Sequence, residues 1–131
     1  MRMWMINPKY LCRKHLMGEH VETHMIVSHI NKGKSINGFI KNNLIEPISI
    51  KERHDILAIE MVNRKYNHKS KIIQPNIKYL SNYIQNYKID IIQSSRDLIN
   101  RCDKCKQRFL EFQKCQHMNT NVKRVDTFLN A

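Results

Sequence analysis

The run from Pro8 to the glycines Gly33 and Gly38 constrains this chain most. Pro8 can open a helix, because the N–H it lacks goes unused in the first turn. The next strong break is "NKGKSING", residues 31–38. The spacing predicts a helix from about 9 to 31. Its segment "HLMGEHVETH", residues 15–24, holds His15, Glu19, His20, Glu22 and His24. At about 100° per residue, His15, Glu19, Glu22, Ile26 and His29 share one stripe. Leu16, Thr23, Val27 and Ile30 lie on one flank, and Met17, Val21 and Met25 on the other. His20 and His24 fall between the flanks, opposite the stripe. Both flanks can pack, so the titratable stripe can line a cleft; an ordinary solvated face is the alternative. Gly18 costs the helix about 1 kcal/mol against alanine and leaves room for a close approach to Glu22. His20 and His24 at i, i+4 could chelate an ion. The zincin pattern needs Glu directly after the first His, where Val21 stands, so no metal site is assigned and both histidines are read as packed.

"SIKE", residues 49–52, reads as a capping box, followed by a helix at about 50–66 through Leu57 and Met61. "NHKSKIIQP", residues 67–75, is a basic loop. A short helix is expected at 76–87, through Ile77, Leu80 and Ile84, and a long one at about 90–115. The long helix carries an apolar stripe of Ile92, Leu98, Ile99, Cys102, Cys105, Phe109 and Phe112. No strand alternation and no repeat stand out. The expected fold class is all-α: one compact domain over 1–131, of three to four helices with long connecting loops. The tail from about 116 lies outside the periodic pattern.

The formal charge is +12, from 23 Lys and Arg against 11 Asp and Glu. Self-repulsion of that size disfavours compactness, so the charge points to a polyanionic partner, nucleic acid first. A coding bias toward Lys, Asn and Ile is the plainer alternative. No apolar run is long enough to span a membrane, and "MRMWMINPKY" lacks the apolar core of a secretory signal. The expectation is an intracellular protein with its four cysteines reduced. Cys102 and Cys105 form a C-x-x-C, which Cys115 and His117 could complete as a zinc set. Because 102, 105 and 109 continue a helical stripe, the core reading of the cysteines is preferred.

"HLMGEHVE", residues 15–22, resembles the signature helix of the phage-type endonuclease V family, the pyrimidine-dimer DNA glycosylases with AP-lyase activity. "MRMWMINPKYL" and "RHDILAIEMVNRKYNHKS", residues 53–70, resemble the cellular branch of that family, and the Arg-Cys-x-x-Cys-x-x-Arg segment at 101–108 does so more loosely. The resemblance implies a nucleophile that is the chain's own α-amine. It attacks C1′ of the damaged nucleotide, forms an imine and drives β-elimination at the abasic site. A helix glutamate assists, and the match places it at Glu22, with the amine at Met1. The family's familiar member uses a residue exposed by removal of the initiator Met. Here Arg2 follows Met1, and a large second residue favours retention of Met1. An α-amine has an ordinary pKa near 8 (about 7.7–8.0), so much of it is neutral and nucleophilic at neutral pH without burial. No cofactor is required.

The implied partner is double-stranded DNA, damaged or abasic, bound by a monomer that extrudes a nucleotide. Arg2 matches a basic residue beside the family's nucleophile. Arg13, Lys14 and His15 open the helix close to it, and Lys65, His68, Lys69 and Lys71 add a basic loop suited to phosphate contacts. Val21 and Met25 stand where the familiar member has arginines, and the tail "RVDTFLNA" has only Phe128 where that member is rich in aromatics. Contacts from the tail to a lesion therefore do not carry over. The competing readings are a non-catalytic DNA-binding or DNA-packaging protein and a metal-dependent nuclease built on the His/Glu helix.

Overall fold

The computed structural model describes residues 1–118, with side chains through Lys114. Its N-terminal hexapeptide "MRMWMI" forms neither helix nor strand, Met5 takes a left-handed φ of 59°, and its side chains alternate between two cores. Met1, Met3 and Met5 pack with Ile26, Ile30, Ile40, Ile45 and Ile50. Trp4 and Ile6 pack with Leu11, Leu16, Leu57, Met61 and Leu98. The alternation has a period of two, yet no strand among the described residues pairs with it. Instead the Met3 N–H donates to the Leu44 carbonyl at 2.7 Å. The Ser94 hydroxyl donates to the Trp4 carbonyl at 2.6 Å, and Arg53 donates to that of Ile6 at 2.8 Å. Three distant segments thus hold the terminal chain.

Among the described residues the secondary structure is helical, and the fold is all-α. It comprises α1 (Arg13–Asn31), α2 (Asn37–Lys41), α3 (Ile50–Asn63), α4 (Asn82–Gln85), α5 (Ile91–Arg101) and α6 (Asp103–Met118). The long pair α1 and α3 forms the main helix contact, and α5 packs against α6. No described helix is long and apolar enough to cross a membrane.

Several local expectations change. The first helix starts at Arg13, not near residue 9, because Pro8–Tyr10 forms a separate 3-10 turn capped by Asn7. Ser49 does not cap α3 with its side chain; its hydroxyl donates to the Glu46 carboxylate instead. That helix ends at Asn63 rather than 66, as Lys65 takes a left-handed φ of 64°. Only Asn82–Gln85 of 76–87 is helical, capped by Ser81. The expected long helix at 90–115 is broken at Cys102, whose extended backbone (φ −132°, ψ 110°) separates α5 from α6.

The packed face of α1 is also rotated from the expected one. Its buried residues are Leu16, Glu19, His20, Thr23, Ile26 and Ile30. Val21 and Met25, expected to pack, are about half exposed. Two polar arrangements make this rotation tolerable. Glu19 is met by Arg53 in a two-pronged ion pair at 2.6 and 3.0 Å, both residues 1% exposed. His20 is met by other imidazoles. A buried carboxylate is affordable only with such a partner.

Candidate active site

Glu22 is half-buried on α1, and the N-terminal segment runs beside it. Burial raises the pKa of its carboxyl. The chain's terminal ammonium, a hydrogen bond from the Arg2 backbone N–H and the Arg2 guanidinium oppose that rise, while Glu19 adds to it. A glutamate biased toward protonation, beside an α-amine, is a competent proton donor and acceptor for chemistry at that amine. The amine owes its place to the bonds made by Met3, Trp4 and Ile6.

The carboxylate opens into a cavity of about 290 Å³ lined by Arg2, Trp4, Lys14, His15, Gly18, Glu19, Glu22 and Arg101. A Cβ built on Gly18 meets nothing within 4 Å, so this wall of the cavity is open. Arg2 lies over the Trp4 ring at 3.6 Å, and Arg101 lies 5.6 Å from the same ring. Although Arg2 is only 9% exposed, its Nε and Nη2 have no hydrogen-bond partner. Its Nη2 faces the Asp97 carboxylate in an ion pair at 3.6 Å. A buried guanidinium short of hydrogen bonds is costly, and its charge at the cavity wall favours an anion there. Lys14, His15 and Arg101 also line a second cavity of about 460 Å³ with Arg13 and Lys104, which extends the basic lining along the start of α1.

The expected site residues therefore fall into two groups. Met1, Arg2, Lys14, His15 and Glu22 gather at one face of α1. Arg13 is exposed nearby, with its guanidinium 4.8 Å from the Tyr66 ring. Lys65, His68, Lys69 and Lys71 lie across α1, where His68 Nε2 sits 2.9 Å from His20 Nε2 and Ser70 reaches His24. Lys65, Lys69 and Lys71 are exposed, whereas the His15 and His68 rings turn toward protein partners.

Among the described residues, two side-chain clusters have metal-donor sets: Cys12, His15, Cys102 and Cys105, and separately His20, His54 and His68. In the second, His20 Nε2 also lies 3.1 Å from His54 Nε2, and His54 Nδ1 lies on the Asp55 carboxylate at 2.9 Å. Burial first, then repulsion from His54, His68 and His24, pushes the pKa of His20 down to about 4. That imidazole is neutral at neutral pH, as a packed histidine or a ligand must be. His24, expected to pack beside His20, stacks edge-on against its ring.

A family model described as pyrimidine dimer DNA glycosylase matches residues 1–74. The chain belongs to that family. No curated protein and no solved structure gives a significant match. A DNA glycosylase acts on DNA, a polyanion, and the chain's formal charge is +12. The matched segment holds the terminal amine, Arg2, Glu22 and the histidine cluster. Arg101 and the C-x-x-C lie beyond it and come from this chain's own second half. Trp4, Arg53 and Arg101 were not among the expected site residues. The alternation in "MRMWMI" was the available signal for Trp4. Arg53 and Arg101 open segments that resemble the family, but nothing local shows what their side chains reach. Phe128 lies outside the described residues, as do the side chains of Cys115 and His117.

Proposed function

We propose that this chain is a DNA glycosylase and AP lyase for UV-damaged or abasic DNA, with the Met1 α-amine as nucleophile and Glu22 as its acid–base partner. The observation that carries this is the placement of the terminal ammonium within the electrostatic reach of Glu22 at a basic cavity. On a damaged nucleotide the neutral amine forms a bond to C1′ as the glycosidic C1′–N bond breaks and the base leaves as its anion; the new ammonium gives up one proton to that base, which restores the nitrogen lone pair. The C1′–O4′ bond then opens. Glu22 delivers a proton to O4′ while the nitrogen lone pair closes the iminium. The resulting carboxylate can accept a proton from C2′, and the electron pair expels the 3′-phosphate.

Arg2 supplies a guanidinium at the cavity for a phosphate beside the reacting sugar. Lys14, Arg13 and Arg101 continue the contact along the backbone. Lys65, Lys69 and Lys71 suit the flanking duplex, where contacts position rather than read sequence. Borohydride reduction on abasic duplex DNA tests the central step. A covalent adduct forms with the unblocked chain and disappears when the terminal amine is acetylated. Adduct formation that survives acetylation sinks the assignment of Met1. Salt-dependent binding with no adduct supports the non-catalytic DNA-binding reading instead.

Gly18 gives an independent check on the cavity. Gly18→Ala adds a methyl to a helix interior with no steric conflict, so thermal unfolding should show a gain of up to about 1 kcal/mol. The same methyl projects into the space beside Glu22, so trapping on abasic DNA slows. A variant that is more stable and equally fast shows that the DNA does not approach Gly18.

A further inference from the structure

Three cysteines and one histidine, drawn from the two ends of the described chain, converge at the start of α1. Cys12 Sγ lies 3.8 Å from Cys102 Sγ and 3.3 Å from His15 Nδ1, and Cys105 Sγ lies 3.6 Å from the same nitrogen. All four donor atoms fall within 4.8 Å of one another. Tetrahedral zinc, with Zn–S near 2.3 Å and Zn–N near 2.0–2.1 Å, requires S···S of about 3.8 Å and S···N of about 3.5–3.6 Å. A disulfide needs its sulfurs at about 2.05 Å, so no pair here is bonded. We propose that Cys12, His15, Cys102 and Cys105 bind one zinc ion in a closed, structural Cys3His site.

Two of the sulfurs accept backbone hydrogen bonds, as metal-bound thiolates do. The Cys12 N–H donates to Cys105 Sγ at 3.2 Å, and the Cys105 N–H donates to Cys102 Sγ at 3.4 Å. Cys12 occupies the N-cap of α1 yet makes no side-chain cap bond, and Cys102 immediately precedes α6. Two helix N-termini therefore face the cluster with their positive ends, which favours anionic sulfur. Arg13, Lys14, Arg101 and Lys104 line the adjoining cavity. They offset the single negative charge left by three thiolates on a divalent ion. Soft sulfur donors select zinc over the oxygen-preferring cations.

The broken helix now has a reason. A continuous helix through 90–115 would keep Cys102 in the stripe, whereas the extended residue at the α5–α6 junction turns its sulfur to Cys12. Sequence spacing reads as C-x-x-H at 12–15 and C-x-x-C at 102–105, two short chelating pairs 90 residues apart. With four protein donors no coordination position is open, so the ion does no chemistry. It fastens the start of the helix carrying Glu22 to the junction carrying Arg101. Residues beyond the family match thereby become part of the catalytic face.

The test uses the full chain, purified untagged under reducing conditions. Bound zinc should protect Cys12, Cys102 and Cys105 from alkylation, mapped by mass spectrometry, and removal by a chelator should expose all three. Cobalt(II) replacing zinc should give an intense thiolate-to-cobalt charge-transfer band in the near ultraviolet. Both readouts use the wild-type fold. Cys105→Ser should lose or greatly weaken that band, and Cys115→Ser and His20→Ala should keep it. Cobalt that binds without a thiolate band, unprotected cysteines after zinc loading, or a band lost in Cys115→Ser each overturns the assignment.

Discussion

Glu22→Gln slows imine trapping on abasic DNA by about 10²–10⁴-fold, the range for losing one positioned acid–base group. Glutamine keeps the size and a hydrogen-bonding carbonyl for the Arg2 N–H, so the fold and the DNA affinity stay close to wild type. What it loses is the proton that O4′ needs when the sugar opens. Burial raises the carboxyl pKa by disfavouring the charge, and the terminal ammonium opposes that rise. Single-turnover trapping at saturating DNA isolates the chemical step. A Glu22→Gln variant that traps within a few-fold of wild type removes Glu22 from the mechanism. It leaves the amine's role open to the acetylation test.

Some of this site was legible in the sequence because it is local. The helix, the one-sided placement of Glu22 and His15, and the open space at Gly18 all follow from spacing along α1. What was hidden depends on residues far apart. Glu19 and Ile26 read as members of the titratable stripe, cleft-lining or solvated, since nothing nearby identifies Arg53 as the partner of a buried carboxylate. Cys102 and Cys105 continue an apolar stripe at helical spacing, so only the chain break at Cys102 reveals where their sulfurs point. The zinc partners sought downstream at Cys115 and His117 have competitors 90 residues upstream, at Cys12 and His15. The "MRMWMI" segment escaped notice for the opposite reason. Its alternation is real, but its partners are side chains and a single carbonyl rather than a neighbouring strand.

That segment makes Arg53 more than a core residue. Arg53→Met leaves Glu19 buried with no counter-charge, and the expected cost is about 3–5 kcal/mol. For a domain of this size the melting temperature falls by roughly 10–20 °C. Arg53 also donates to the Ile6 carbonyl, so its loss releases one of the three bonds that hold the terminal chain. The two effects separate in the double variant Glu19→Leu with Arg53→Met. Replacing a whole buried ion pair by apolar side chains is often close to neutral, so most of the stability returns. The Ile6 carbonyl still lacks its donor, and the amine is less firmly held beside Glu22. Thermal unfolding of the double variant therefore recovers toward wild type while its trapping rate remains depressed. Recovery of both means that Met3 and Ser94 suffice to place the terminus, and Arg53 serves stability alone. Recovery of neither means that the pair itself, not merely its neutrality, is required for the α1–α3 packing on which the site is built.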